Sequence, residues 1–258
     1  MKLINLNADM GEGFGKYSIG NDAAMLEVIG SANIACGYHA GDPLVMSTTT
    51  RLAQEKGVSI GAHPAFPDLQ GFGRRKMILP LPELEAMMVY QIGALMAVAQ
   101  SQGTTVTHVK PHGALNNMAA EDMKMSLAVA RAIFSVDPSL ILLATAGSCL
   151  CKAGLELGLS TAGEIFADRT YDENGNLTPR SQPNAVIHDP EQSADQILSF
   201  LDAGKIITPS GKGIDTPIHS ICVHGDSEGA VAIANRVKER LEQAGYKLVT
   251  LPEVMGQG

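Results

Sequence analysis

Short apolar stretches alternate along this chain with longer ones whose apolar residues recur at helical spacing. Leu3 to Leu6 reads as a strand, and Asn21 or Asp22 caps a short helix running to about Ile29. Asn33 to Cys36 is a short strand. Asp42-Pro43 starts a helix, with Asp at the N-cap and Pro in the first helical position, that ends at Gly57. Val58 to Ile60 is the next strand. Pro82 opens a long helix with Met88, Ile92, Leu95 and Met96 on one face and Gly103 as its stop. Val106 to Val109 is a strand, followed by a helix from about Ala120 to Phe134. Leu140 to Leu143 is uninterruptedly apolar, as a buried parallel strand should be. Gly147 to Leu157 is helical, and Glu164 to Phe166 is a strand. Between 170 and 189 the rhythm breaks, and Asp172 to Asn176 reads as a turn in a hairpin or excursion. It resumes with a helix from Pro190 to Asp202, a strand from Ile218 to Val223, a helix from Ser227 to Gln243 and a strand from Lys247 to Leu251.

About seven or eight strand–helix units suggest a single-domain (β/α) barrel over residues 1–258, irregular and seven-stranded. A doubly wound open sheet is the runner-up. Against it, no Gly-x-Gly-x-x-Gly follows the first strand, and Ser210-Gly-Lys-Gly lacks the leading glycine and spacing of a phosphate loop. A hydrophobic share of 45% allows a sizeable core. The formal charge of -8, without a basic cluster, argues against nucleic acid as a partner. No apolar run approaches the roughly 20 residues of a membrane span. Met1-Lys-Leu-Ile-Asn5 enters a strand without a signal-peptide core, and the four cysteines form no disulfide framework. The expectation is a reduced, cytoplasmic setting. Cys149-x-Cys151 has no second pair to complete a metal site, so small buried hydrophobes are the simpler reading.

The chemistry is concentrated where strands end. Asp9 and Glu12 follow the first strand, His39 the second, His63 the third, Lys110 and His112 the fourth, Asp168 and Arg169 a later one, and His224 and Asp226 the next. Barrel enzymes assemble one site from such loops. Asp9 suits a base or metal ligand, with a turn aspartate as the bland alternative. His39 precedes a helix N-terminus begun by Asp42, a position suited to an anion. Lys110 offers a point charge, His112 acid–base chemistry, and Arg169 a forked donor. Asp168-Arg169 is otherwise a surface ion pair, and Asp226 a helix cap. Arg74 and Arg75 lie on a Gly-Phe-Gly loop and would clamp an anion or meet a partner protein. Asp9, His39, His63 and His112 are the right types for a divalent metal, although no local spacing motif links them. The metal-free alternative uses carboxylate and histidine as acid and base, with Lys110 and Arg169 stabilising charge.

Asn33-Ile-Ala-Cys-Gly-Tyr-His-Ala-Gly-Asp42, Gly61-Ala-His-Pro64, Gly71-Phe-Gly-Arg-Arg75, His108-Val-Lys-Pro-His-Gly-Ala114, Phe166-Ala-Asp-Arg169 and His224-Gly-Asp226 together resemble the LamB/YcsF family, from about Leu3 to Gly245. Asn116 stands where the family usually has Tyr, and Asn5 where it usually has Asp. The resemblance implies a barrel akin to the glycoside hydrolase/deacetylase superfold. It implies ATP-dependent opening of 5-oxoproline to glutamate, with ATP used by an assembly containing B and C subunits. In that reading Asp9, His39, His63, Lys110, His112 and Asp168 carry catalysis. Glu12, Asp42, Arg74, Arg75, Arg169, His224 and Asp226 bind the small-molecule substrate. A stand-alone metal-dependent deacetylase or amidohydrolase, and a non-catalytic binding subunit, are the alternatives.

Overall fold

The structure, a computed structural model, describes residues 2–224 and 229–257. Seven parallel strands close a barrel: β1 (Lys2–Met10), β2 (Ser31–Ala35), β3 (Ser59–His63), β4 (Val106–Val109), β5 (Ile141–Thr145), β6 (Thr161–Phe166) and β9 (Ser220–Cys222), with β9 pairing back to β1. Between β6 and β9 a short antiparallel hairpin, β7 (Lys205–Ile207) and β8 (Gly213–Asp215), stands apart from the ring. β10 (Tyr246–Val249) pairs with the first half of β1, from Lys2 to Asn5, outside the ring.

The helices cover the barrel in chain order: α1 (Asp22–Met25), α2 (Pro43–Glu55), α3 (Leu81–Ser101), α4 (Gly113–Glu121), α5 (Met123–Val136), α6 (Cys149–Glu156), α7 (Pro190–Ala203), α8 (Ala230–Gln243) and α9 (Leu251–Val254). Asp42 caps α2, its carboxylate accepting from Leu44 and Val45 N–H, with Pro43 at the first position. The helix expected from about Ala120 is two helices, and it begins earlier. Asp122 leaves helical geometry and its side chain accepts from Lys124 and Met125 N–H, so one residue ends α4 and caps α5.

By length and composition alone, α3, with 21 residues, is long and apolar enough to cross a membrane, a test that the core helix of a barrel also passes. The sequence expectation of no run near that length missed this, because Glu83 and Glu85 interrupt the apolar stretch near its start. In the fold α3 lies along α5, β3 and β4, and buries Leu84, Met88, Ile92, Leu95 and Ala99.

β1 runs beyond Leu6 to Met10 because the inside of this barrel is polar. Its alternate residues Ile4, Leu6, Ala8 and Met10 join the apolar core, while Asn5, Asn7 and Asp9 turn inward. Asn5 Nδ2 donates to Ser31 Oγ at 2.9 Å and to the Val249 carbonyl at 2.8 Å, and its Oδ1 accepts from Ser220. Asn7 Nδ2 donates across the barrel to Glu164 at 2.8 Å. His108 donates to Asn33 Oδ1, and Asn33 Nδ2 donates to Asn7 Oδ1 at 2.8 Å. Buried amides are tolerated because each finds partners in this chain of bonds.

Candidate active site

The polar layer rises from the barrel floor to the C-terminal ends of the strands. At the top, Asn33 Nδ2 donates to Asp9 Oδ1 at 3.0 Å, fixing the carboxylate from below. Lys110, just past β4, donates to the same oxygen at 2.9 Å and lies 3.0 Å from Glu164 Oε1. Its ammonium also meets Asn7 Oδ1 at 3.3 Å and Cys222 Sγ at 3.1 Å, and sits 5.4 Å above the Phe166 ring. Burial opposes the lysine charge, but Asp9, Cys222 and Glu164 outweigh it and hold its pKa well above the ordinary value. Burial likewise opposes ionisation of Asp9, yet His63 and Lys110 hold its carboxyl well below the usual range. Glu164 goes the other way, because burial dominates and raises it. The two carboxylates facing Lys110 are thus set to different protonation, Asp9 ionised and Glu164 more readily protonated.

On the far side of Asp9 stand three histidines. His63 Nε2 lies 3.2 Å from Asp9 Oδ2, and His63 Nδ1 donates to the Lys110 carbonyl at 2.7 Å. His112 Nδ1 lies 2.9 Å from His63 Nε2, and its Nε2 donates to the Phe72 carbonyl at 2.8 Å. His39 Nε2 is 3.0 Å from Glu12 Oε1, and its ring stacks on His112 at 3.8 Å between centroids. Burial pushes His39 and His112 well below the ordinary histidine value. Gly73, at φ +65°, lets the loop close over this pair, since a Cβ there would stand 2.7 Å from His112 Cδ2 and 2.8 Å from His39 Cβ.

Opposite lies the Asp168–His224 pair, with His224 Nδ1 donating to both carboxylate oxygens at 2.7 and 2.8 Å. Burial would lower His224, but Asp168 raises it; burial would raise Asp168, but His224 lowers it. Among the described residues, two groups bring metal-ligating atoms within 4.8 Å of one another: Glu12, His39, His63 and His112, and Asp9, Cys222 and His224. Asp9, Glu12, His63, Lys110, His112 and His224 line a cavity of about 340 Å³, to which Arg74, Asn117, Thr178 and Arg180 also contribute. That volume suits a ligand the size of a small organic acid.

The structure brings Asp9, Glu12, His39, His63, Lys110, His112, Asp168 and His224 to this one end of the barrel. Arg74 lines the cavity with its guanidinium 4.9 Å over the Phe72 ring. Arg169 also lines it, but its donors are spent on backbone, Nε on the Ala185 carbonyl at 3.1 Å and Nη2 on that of Thr178 at 2.6 Å. Burial lowers its pKa to about 10. Arg75 is bound to the buried Asp68 and does not line the cavity. Asp42 is a helix cap whose second oxygen accepts from Gly15 N–H at 2.7 Å. Asn116 lines the cavity and donates to Thr145 Oγ1 at 3.1 Å, while Asn5 lies near the barrel floor. Asp226 lies outside the described residues.

Sequence reasoning gives no site role to Glu164, to Asn7 and Asn33, which it meets only within motifs, or to the rim residues Thr178 and Arg180. The Asn5-x-Asn7-x-Asp9 alternation signals inward polar residues in β1, and the broken rhythm after 170 signals the segment carrying the rim. Nothing local marks Glu164, which sits inside an apolar strand.

The model of the LamB/YcsF family matches residues 4–256. A protein of Azoarcus sp. (strain BH72), named as the A subunit of 5-oxoprolinase, is 54% identical over 98% of this chain and 99% of its own length. One of the same name from Bacillus subtilis (strain 168) is 48% identical, covering 98% of each chain. The crystal structure of a lactam utilization protein from Thermus thermophilus superposes with a TM-score of 0.89 at 40% identity, over 96% of this chain and 99% of that one.

Proposed function

The chain belongs to the LamB/YcsF family, and from that premise we propose that it is the A subunit of an ATP-dependent 5-oxoprolinase, a hydrolase opening the lactam of 5-oxo-L-proline to L-glutamate. The observation that carries this reading is end-to-end similarity to relatives of that name, together with a cavity of small-molecule size over a buried acid–base cluster. B and C subunits belong to it as partners and ATP as the co-substrate of the assembly, in a cytoplasmic setting.

A five-membered lactam has an unreactive, resonance-stabilised carbonyl. Transfer of a phosphoryl group from ATP to the lactam oxygen makes the ring carbon electrophilic. Water then adds to that carbon, giving its proton to Asp9. The ring C–N bond breaks once the nitrogen is protonated, leaving an acyl phosphate that a second water converts to glutamate and phosphate. Asp9 is an acceptor that stays ionised at every working pH, though its low pKa limits its strength as a base. Lys110, buried and held charged, stabilises negative charge beside the reacting carbon. His224, oriented by Asp168 and raised in pKa, is the donor for the departing nitrogen. His63 and His112 form the wall that orients the substrate, with His39 stacked behind His112. Arg169 acts indirectly, holding the segment that supplies the rim.

A second reading, a metal-dependent amidohydrolase, is favoured by the four ligand atoms of Glu12, His39, His63 and His112 within 4.8 Å. The deciding experiment measures glutamate release from 5-oxoproline, with and without ATP, by the chain alone and with its B and C subunits. Release requiring ATP and all three proteins supports the oxoprolinase reading. Amide hydrolysis by the chain alone, lost on chelation, supports the second.

A further inference from the structure

We infer that His63, His112 and Glu12 form a site for one divalent cation of the borderline class, such as zinc or cobalt, at the open end of the barrel. The inference stands independently of the substrate. A carbonyl oxygen only accepts, so the contact to the Lys110 carbonyl places a proton on His63 Nδ1 and leaves Nε2 as a lone pair. The contact to the Phe72 carbonyl places a proton on His112 Nε2 and leaves Nδ1 as a lone pair. These two bare nitrogens face each other at 2.9 Å. Asp9 Oδ2, a third acceptor, stands 3.2 Å from His63 Nε2, and Glu12 Oε1 stands 3.7 Å from His112 Nδ1. Between neutral rings these lone pairs repel; without a cation the relief is a proton on His63 Nε2 facing Asp9, and a cation seated among the four atoms takes that proton's place. A backbone carbonyl behind each imidazole is also the arrangement that fixes the tautomer of a metal-binding histidine.

His39 belongs to the site in a different role. Its ring lies parallel to that of His112, with planes 11° apart and centroids at 3.8 Å. The lone pair of an imidazole lies in its ring plane, so two stacked rings do not aim at the same ion. His63 stands at 86° to His112, which does allow their nitrogens to converge. His112 is therefore the ligand, and His39 positions Glu12 through the 3.0 Å contact from Nε2 to Oε1. Two imidazoles and a carboxylate suit zinc or cobalt, whereas magnesium favours all-oxygen sets. Three protein ligands leave coordination positions open, as in sites that act on a substrate.

The test starts from chelator-treated wild-type chain titrated with Co²⁺, and separately with Zn²⁺. One equivalent should bind, with the visible absorption of cobalt in a low-symmetry nitrogen and oxygen site, and zinc should displace it. His112→Gln and Glu12→Gln should each weaken cobalt binding at least about 100-fold. His188→Gln, an exposed histidine outside the cluster, should leave it unchanged. Absence of a stoichiometric cobalt spectrum in the wild type, or an unaltered one in both variants, overturns the inference. Should those variants fail to fold, long-range ¹H–¹⁵N NMR of the wild type decides. A proton on His63 Nδ1 and on His112 Nε2, with the opposite nitrogens shifting on addition of zinc, is the expected result. The reverse tautomers, or shifts confined to other histidines, overturn it.

Discussion

Asp9 and Lys110 show how much one buried contact decides. The 2.9 Å bond between them, with His63 beside Asp9 and Glu164 beside Lys110, keeps Asp9 ionised and Lys110 protonated in a place that burial alone would make unfavourable for both. Asp9→Asn keeps the shape and the bond from Asn33 but removes the proton acceptor. Glutamate formation by the assembled enzyme should fall about 100-fold or more, with circular dichroism unchanged; full turnover would rule Asp9 out as the base. Asp168 and His224 give a pH signature. Asp168 has a lowered native pKa, so its contribution to stability is present above its unfolded value and is lost as pH falls through the native one. His224 has a raised native pKa, so its contribution is complete below its unfolded value and is lost as pH rises through the native one. The pair therefore contributes most between about pH 4 and 6.5. Thermal unfolding from pH 6 to 9 should show the wild type losing stability that His224→Asn, already weaker by roughly 2 kcal/mol at pH 6, does not lose. Equal slopes for the two proteins would remove the pair as a stabilising element. Much of the residue scale was legible in the sequence, because histidine, lysine and aspartate at strand ends have few other uses. Arg169 and Arg75 were harder to read, since an arginine that binds an anion and one that ties down carbonyls or a buried Asp68 have the same local sequence.

At the scale of elements, the helix starts capped by Asp42 and Asn21 were legible. The α4–α5 break was not, because Asp122 as a cap looks the same in sequence as an exposed helical aspartate. β7 and β8 were missed because three-residue strands carry too little periodicity. The crossing of β3 and β4 depends on Gly61, where a Cβ would stand 2.1 Å from His108 Nε2. Gly61→Ala should lower the unfolding free energy by about 1 to 3 kcal/mol, read as a fall in Tm. An unchanged Tm would mean that His108 moves aside freely. The segment between 170 and 189 is tied down by Arg169, by the Arg169–Val186 and Tyr171–Leu177 bridges, and by Phe166 N–H donating to Tyr171 Oη at 2.8 Å. Arg169→Lys keeps the charge but loses the fork that spans two carbonyls. Limited proteolysis should then cut between Asp172 and Asn184 several times faster than in wild type, while the remainder of the chain stays resistant. Unchanged cleavage would mean that the bridges alone hold the segment.

For the whole molecule, the barrel class follows from the count of strand–helix units, but outside β1 its polar interior does not, because nothing local tells which way Asn33, His108 and Glu164 face in the short strands that carry them. That interior links the floor at Val249 to Asp9 through Asn5, Ser220, Asn7 and Asn33, so Asp9 is set on a hydrogen-bonded column rather than on a loop. Rigid placement suits a site that receives an activated, short-lived substrate, because the acceptor must already be in position when the phosphoryl group arrives. It follows that activation and ring opening are separable in the assembled enzyme. With B and C subunits, 5-oxoproline and ATP, the Asp9→Asn assembly should release ADP in an initial burst of up to about one per site while steady glutamate formation stays about 100-fold down. Rapid quench of ADP and glutamate on the same samples measures both. A loss of ADP formation in parallel with glutamate would instead place Asp9 at or before phosphoryl transfer, and would move the ring-opening base elsewhere in the cluster.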